Sequence, residues 1–305
     1  MTGDPRIGDL LGRAPGEPRA VLIGFPSDEG VRRNGGRTGA ADGPRALRQA
    51  LSRLTPDADR TDAFVALIEQ TRDLGDVPVT GDVEADQELL ATIVAPQLQA
   101  GRFVIVLGGG HETSFGHFLG HAALGRAVHV LNWDAHADVR EPREGRAHSG
   151  SPFRQAVLHP SGLCASYNVA GLQPHSVATP HLAFVRTHGR AVFRHDVGVE
   201  SLPAIYGMLS GRSFVSFDID AVDQAYAPGV SAPATNGLPV AVWLEAAFLA
   251  GRDERVLSAD IVELCPAHDR DGQTARLAAL TVWQLLRGIA ARPEHIATHI
   301  EPEAP

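Results

Sequence analysis

Ala127-Val128-His129-Val130-Leu131-Asn132-Trp133-Asp134-Ala135-His136-Ala137-Asp138 is the stretch that decides the fold. A nearly unbroken apolar run passes directly into a cluster of acids and an imidazole. An alternating pattern would mark a strand with one wet face; a continuous run marks a strand covered on both faces, as in a parallel sheet. In such sheets the chemistry gathers just past the carboxyl ends of the strands. Two other runs end the same way. Phe103–Leu107 leads into Gly108-Gly109-Gly110-His111-Glu112, and Ser213–Phe217 leads into Asp218-Ile219-Asp220.

Further apolar runs lie at Ala20–Phe25, Tyr167–Leu172, Ala191–Phe193 and Val256–Val262, with a weaker one at Arg72–Leu74. Helical spacing of apolar residues appears between them, at Pro44–Leu54, Ala85–Ala100, Pro239–Ala250 and Thr274–Ala290. Strand–helix alternation from end to end predicts a three-layer α/β/α architecture with a mostly parallel central sheet. No internal repeat or long linker divides the chain, so residues 1–305 read as one domain. Residues 1–18 and 296–305, rich in Pro, Gly and Glu, read as loose ends.

Composition narrows the function. Thirty-six acidic against 27 basic side chains leave a net charge of −9, a poor basis for holding nucleic acid or an anionic membrane. Every basic residue is Arg; the chain has no Lys. That excludes a Walker-type phosphate loop and any lysine Schiff base. Two cysteines, Cys164 and Cys265, make neither a disulfide scaffold nor a thiolate metal site. With no secretory signal at the start and no long apolar segment, the expectation is a cytoplasmic enzyme that does not engage a membrane.

The polar clusters carry the chemistry. At a strand's period of two, Asp134, His136 and Asp138 would point the same way, as would Asp218 and Asp220. If these strands are neighbours, four carboxylates and at least one imidazole share a pocket mouth. Ionised carboxylates crowded in a low-dielectric setting force protonation unless a cation neutralises them. His111, Asp134, His136, Asp138, Asp218 and Asp220 exceed what one tetrahedral zinc takes. Oxygen and nitrogen ligands without thiolate favour two Mn²⁺ ions over Zn²⁺. A metal pair activates a water, so the implied reaction is hydrolysis at a planar carbon.

The motifs Gly108-Gly109-Gly110-His111, Asp134-Ala135-His136-Ala137-Asp138 and Ser216-Phe217-Asp218-Ile219-Asp220 resemble the signatures of the ureohydrolase superfamily: arginase, agmatinase and formimidoylglutamase. The resemblance implies an arginase-like fold from about Ala20 to Leu286. It assigns one ion to His111, Asp134, Asp138 and Asp218, and the other to Asp134, His136, Asp218 and Asp220. Asp260-Ile261-Val262-Glu263-Leu264-Cys265-Pro266 is similar to the segment whose Glu contacts the substrate's amidino or imino nitrogen, a role that falls to Glu263. It also implies a homo-oligomer, a trimer or hexamer.

Within the superfamily, Asp28–Arg37, Ser149–Gln155 and Ala227–Ala234 are most like formimidoylglutamases. The expected reaction is cleavage of N-formimidoyl-L-glutamate to L-glutamate and formamide in histidine degradation. Such a substrate is a dicarboxylate. Arg140 and Arg154 can form bidentate carboxylate pairs, and Ser149 joins them as a candidate contact. Phe153 stands where arginases carry a proton-shuttling His, leaving His148 and Asp138 as candidate proton carriers. The alternatives are an agmatinase or other guanidino-acid ureohydrolase, and a homologue that binds metal without catalysis.

Overall fold

The computed structural model describes residues 4–59 and 61–293. The chain runs α1 (Ile7–Leu10), β1 (Ala20–Phe25), α2 (Glu29–Asn34), α3 (Gly43–Leu51), α4 (Thr61–Glu69), β2 (Thr71–Asp76), α5 (Val83–Gln99) and β3 (Phe103–Gly108). It continues through α6 (Thr113–Ala122), β4 (Val128–Trp133), α7 (Pro152–Val157), β5 (Cys164–Leu172), α8 (Thr179–His188) and β6 (Ala191–Phe193). The remainder is α9 (Leu202–Tyr206), β7 (Ser213–Asp218), α10 (Val240–Arg252), β8 (Val256–Val262) and α11 (Gln273–Ala290).

Among the described residues the strands form one eight-stranded sheet in the order β2-β1-β3-β8-β7-β4-β5-β6. Every pairing is parallel, so the expected mostly parallel sheet is wholly so. The pleat sorts the apolar runs onto two faces. Leu22, Ile105, Trp133, Val215 and Ile261 point into a core roofed by α3, α4, α10 and α11. Val21, Val104 and Val106 meet α5 on the opposite face, where Val130, Val169 and Phe214 meet α6, α7 and α8. Burial on both faces is why these strands read as continuous rather than alternating.

Two expectations change. The weak strand at Arg72–Leu74 extends over Thr71–Asp76, an edge strand in which Thr71 alone is buried. Within the supposed loose end at residues 1–18, Ile7 and Leu10 are buried in the core, and the Ile7 N–H donates to the Leu54 carbonyl at 2.8 Å. Two apolar side chains on one face of a single turn are enough to dock it. Residues 296–305 lie outside the described residues. Among those described, no helix is long and apolar enough to cross a membrane.

The strand order sets the place of the site. After β3 the chain skips two positions to β4, and β7 and β8 later fill the gap. This is the topological switch point, where open α/β sheets bind ligands. The polar clusters after β3, β4 and β7 and the segment after β8 therefore issue from four adjacent strand ends.

Candidate metal centre

His111 follows the three glycines after β3. The glycine run is required there: a methyl on Gly109 would sit 1.9 Å from the Ser27 carbonyl oxygen. Glu263, the first residue past β8, donates its N–H to the Gly109 carbonyl at 2.8 Å. Its Oε1 accepts the His111 backbone N–H at 2.8 Å. One backbone bond and one side-chain bond thus hold the ends of β3 and β8 together and tie the Glu263 carboxyl to the His111 backbone.

The acids do converge, although the pleat is not the reason. Strand β4 ends at Trp133 and β7 at Asp218, before the paired acids are complete. Asp134 Oδ1 accepts the His136 N–H at 2.7 Å, and Asp218 Oδ1 accepts the Asp220 N–H at 2.9 Å. These are Asx-type turns, in which a side chain caps the backbone two residues on. Asp138 then turns back with φ of 44°. Tyr167 closes the loop from below, donating to the Ala137 carbonyl at 2.7 Å and accepting from Asn132 Nδ2 at 3.1 Å.

The result is two overlapping ligand sets, His111–Asp134–Asp138–Asp218 and Asp134–His136–Asp220. His111 Nδ1 lies 2.9 Å from Oδ2 of both Asp138 and Asp218, and 3.5 Å from Asp134 Oδ2. His136 Nδ1 lies 3.4 Å from Asp134 Oδ1 and 3.3 Å from Asp220 Oδ2. Asp134 belongs to both sets, as a bridging ligand would. Asp218, which the resemblance placed in both sets, falls in the first set alone.

The donor set fits a divalent cation. His111 Nδ1 and Asp220 Oδ1 are buried with no hydrogen-bond partner. Cis ligands about 2.1 Å from a common ion stand about 3 Å apart, which matches the His111 contacts. The electrostatics point the same way. Burial and the neighbouring Asp138 push Asp134 up to about 6. Burial, Asp220 and Asp134 drive Asp218 well above the carboxylate range. Asp220 holds the His136 imidazole well above its ordinary value. At His111 burial opposes protonation, but Asp218 and Asp138 outweigh it and raise the imidazole too. A crowd of acids that draws protons this strongly is balanced as well by a metal.

A cleft of about 170 Å³ opens over the cluster, below the roughly 300–1,000 Å³ of ordinary ligand pockets. His136, Asp138, Asp218, Asp220 and Glu263 line its floor; Asn34, Arg140, Ser149 and Ser231 line its rim. Burial pushes Glu263 up to about 8, with Glu112 and Asp220 adding to the rise. Arg140 and Ser149 therefore reach the cleft as expected. Asn34 joins them without having been singled out: its Nδ2 donates to Ser149 Oγ at 3.2 Å, and Arg140 Nη1 donates to its Oδ1 at 3.4 Å. Its signal lay in Asp28–Arg37, whose last residues fold over the site.

Two expected residues are held elsewhere. Arg154 pairs with Glu141 at 2.8 Å, its guanidinium 4.8 Å over the Phe184 ring, in a separate surface cavity. His148 donates Nε2–H to the Glu141 carbonyl at 3.0 Å and accepts the Gly150 N–H on Nδ1 at 3.1 Å, so both ring nitrogens are bound to backbone. Phe153, at the place of the arginase histidine, is wholly buried, edge-on to His111 and stacked on Tyr167.

Residues 18–287 match the arginase family. The formimidoylglutamase of Rhodococcus jostii is 38% identical over 88% of this chain and 86% of its own. That of Klebsiella pneumoniae is 35% identical, over 87% and 84%. The crystal structure of Trypanosoma cruzi formiminoglutamase with Mn²⁺ superposes with a TM-score of 0.87 at 34% identity, covering 95% of this chain and all of that one.

Proposed function

Because the chain belongs to the arginase family, we propose that it is a binuclear-manganese hydrolase that cleaves the formimino C–N bond of N-formimidoyl-L-glutamate. The products are L-glutamate and formamide, a step in histidine degradation. The observation that carries this reading is the pairing of two overlapping acid–imidazole sets with a guanidinium, Arg140, on the rim of the same small cleft. The manganese named for the Trypanosoma cruzi relative supports the choice of ion.

Each residue then has a task. His111, Asp134, Asp138 and Asp218 hold one Mn²⁺; Asp134, His136 and Asp220 hold the other. What the pair supplies when bound is an activated water at neutral pH. Arg140 takes a substrate carboxylate, with Asn34 and Ser149 beside it to orient the chain. Glu263, facing the cleft, accepts from the imino nitrogen and fixes the planar carbon over the acids. Asp138, whose side chain is 14% exposed, is the carrier of a proton to the departing amine. Water adds to the carbon, the bond to the glutamate nitrogen breaks, and that nitrogen gains the proton.

The decisive assay offers N-formimidoyl-L-glutamate, agmatine and arginine in parallel to the manganese-loaded protein. Formamide and glutamate from the first, with no urea from the others, is the expected result. Arg140→Ala lowers kcat/KM for the dicarboxylate more than tenfold, about 1.4 kcal/mol. Urea from agmatine or arginine, with Arg140→Ala indifferent, moves the assignment to a guanidino-acid ureohydrolase. Silence on all three with metal bound leaves a non-catalytic homologue. The reading also carries a cytoplasmic homo-oligomer, a trimer or hexamer, acting on a small molecule rather than on nucleic acid or membrane; analytical ultracentrifugation tests the assembly.

A further inference from the structure

Behind His111 a file of polar side chains runs under α6. His111 Nε2 lies 3.0 Å from Ser216 Oγ. The Ser216 hydroxyl donates to Asp260 Oδ1 at 2.5 Å. Asp260 Oδ2 accepts from His117 Nδ1 at 2.8 Å and from Ser114 Oγ at 3.1 Å. Ser258 Oγ then lies 2.7 Å from Nε2 of both His117 and His121. Ser216 and Asp260 face each other in the β7–β8 register. Ser114, His117, His121, Ser216, Ser258 and Asp260 are all buried, the most accessible at 2%.

Proton counting gives this file a direction. An ionised carboxylate can only accept, and a serine hydroxyl has one proton to give. Ser216 spends its proton on Asp260, so toward His111 it can only accept. With an ion held by the acids, the one remaining His111 proton would therefore be on Nε2, leaving the Nδ1 lone pair toward Asp134, Asp138 and Asp218. At the far end Asp260 takes the Nδ1 proton of His117, whose Nε2 is met by Ser258.

We infer that Ser216, Asp260 and His117 form a buried positioning relay that keeps the His111 proton on Nε2 and turns Nδ1 toward Asp134, Asp138 and Asp218, setting how tightly one of two ions is held. This rests on the manganese reading of the site. None of the three touches the cleft; they act through the imidazole. Partners of this kind fix ligand tautomer and orientation, and removing one typically costs 10–100-fold in metal affinity.

The test titrates Mn²⁺ into metal-stripped wild type, Ser216→Ala, Asp260→Asn and the double variant, read by calorimetry and by electron paramagnetic resonance. ¹⁵N-histidine spectra of samples loaded with diamagnetic Zn²⁺ in place of Mn²⁺ report the His111 tautomer. Each single variant loses at least tenfold affinity for one ion while the other stays within a few-fold. The coupled two-manganese signal gives way to that of an isolated ion, and the His111 proton no longer resides on Nε2 alone. The double variant is no worse than the weaker single, because both changes break one path. Unchanged affinity in Ser216→Ala, or losses that add in the double variant, overturns the relay. If Asp260→Asn does not fold, Ser216→Ala decides alone, since it removes one hydroxyl. Wild type that takes up no manganese removes both the reading and the relay; wild type that binds two ions beside indifferent variants removes only the relay.

Discussion

Glu112 lines none of the cleft and still shapes it. Its Oε1 accepts the Gly30 N–H at 2.8 Å, and its backbone carbonyl accepts from Gln87 Nε2 at 2.7 Å. It thereby pins the start of α2, and with it Asn34, to the loop that carries His111. Its Oε2 is buried without a partner, and burial pushes the carboxyl from its ordinary 4.5 up to about 7. A carboxyl raised on folding contributes stability that is present below pH 4.5 and lost as pH rises through 7. The span amounts to on the order of 3 kcal/mol at most. Glu112→Gln removes that dependence. In urea titrations of the metal-stripped protein, the variant is expected to be the more stable at pH 8, with the gap closing toward pH 5. Parallel wild-type and variant curves across that range contradict the assignment. The ligand residues themselves are legible in the sequence, because acids and imidazoles that close a buried apolar run have no structural use for their charge. What arranges them is not legible: the Asx turns at Asp134 and Asp218 and the positive φ at Asp138 replace the pleat that a strand reading invokes.

The specificity segment between β4 and α7 buries Val139 and Ala147 and is tied down besides by an ion cluster. The Arg33 side chain, 8% exposed, reaches Glu29 at 3.1 Å, Glu84 at 2.9 Å and the Ala147 carbonyl at 3.0 Å. Glu84 in turn accepts the Ala147 N–H at 2.8 Å, and Arg143 donates to the Arg33 carbonyl at 3.0 Å. Three elements, α2, α5 and the loop bearing Arg140 and Ser149, thus meet at one guanidinium. Arg33→Ala leaves Glu84 without its guanidinium, while Glu29 keeps Arg32, and is expected to destabilise the protein by about 1–2 kcal/mol. Its functional mark is a several-fold rise in KM with kcat less affected, together with faster hydrogen exchange over residues 140–149. A fall in kcat alone argues against a positioning role. Strands β1, β3, β4, β7 and β8 are legible because both faces are covered. Helix α6 is not, since its inner face carries Gly116, His117, Gly120 and His121 where a helical pattern wants aliphatics. Arg154 is misread for a related reason: only the folded loop shows that Glu141 claims it.

For the whole molecule the metal cluster is a charge problem set inside a stable frame. A continuous apolar core on the α10–α11 face secures the frame without the metal. The acids still repel one another, so ligand binding shifts stability by mass action. At a hundredfold excess over Kd, manganese adds about 2.7 kcal/mol, and at roughly 2–4 °C per kcal/mol Tm rises by about 5–10 °C. Calorimetric scans with manganese and with chelator check this, and equal midpoints dispose of it. The strand order has one more consequence, in the time dimension. Strands β3 and β4, whose ends bear His111 and the Asp134–Asp138 loop, are separated in the sheet by β8 and β7. Those two strands are supplied by residues 213–262. A nascent chain halted before Ser213 holds His111 on one side of an open gap and the Asp134–Asp138 loop on the other, and lacks Asp218 and Asp220. Capture of the ion pair therefore waits until residues 213–262 have joined the sheet, and a ribosome-bound fragment that ends before Ser213 has no complete cradle for manganese.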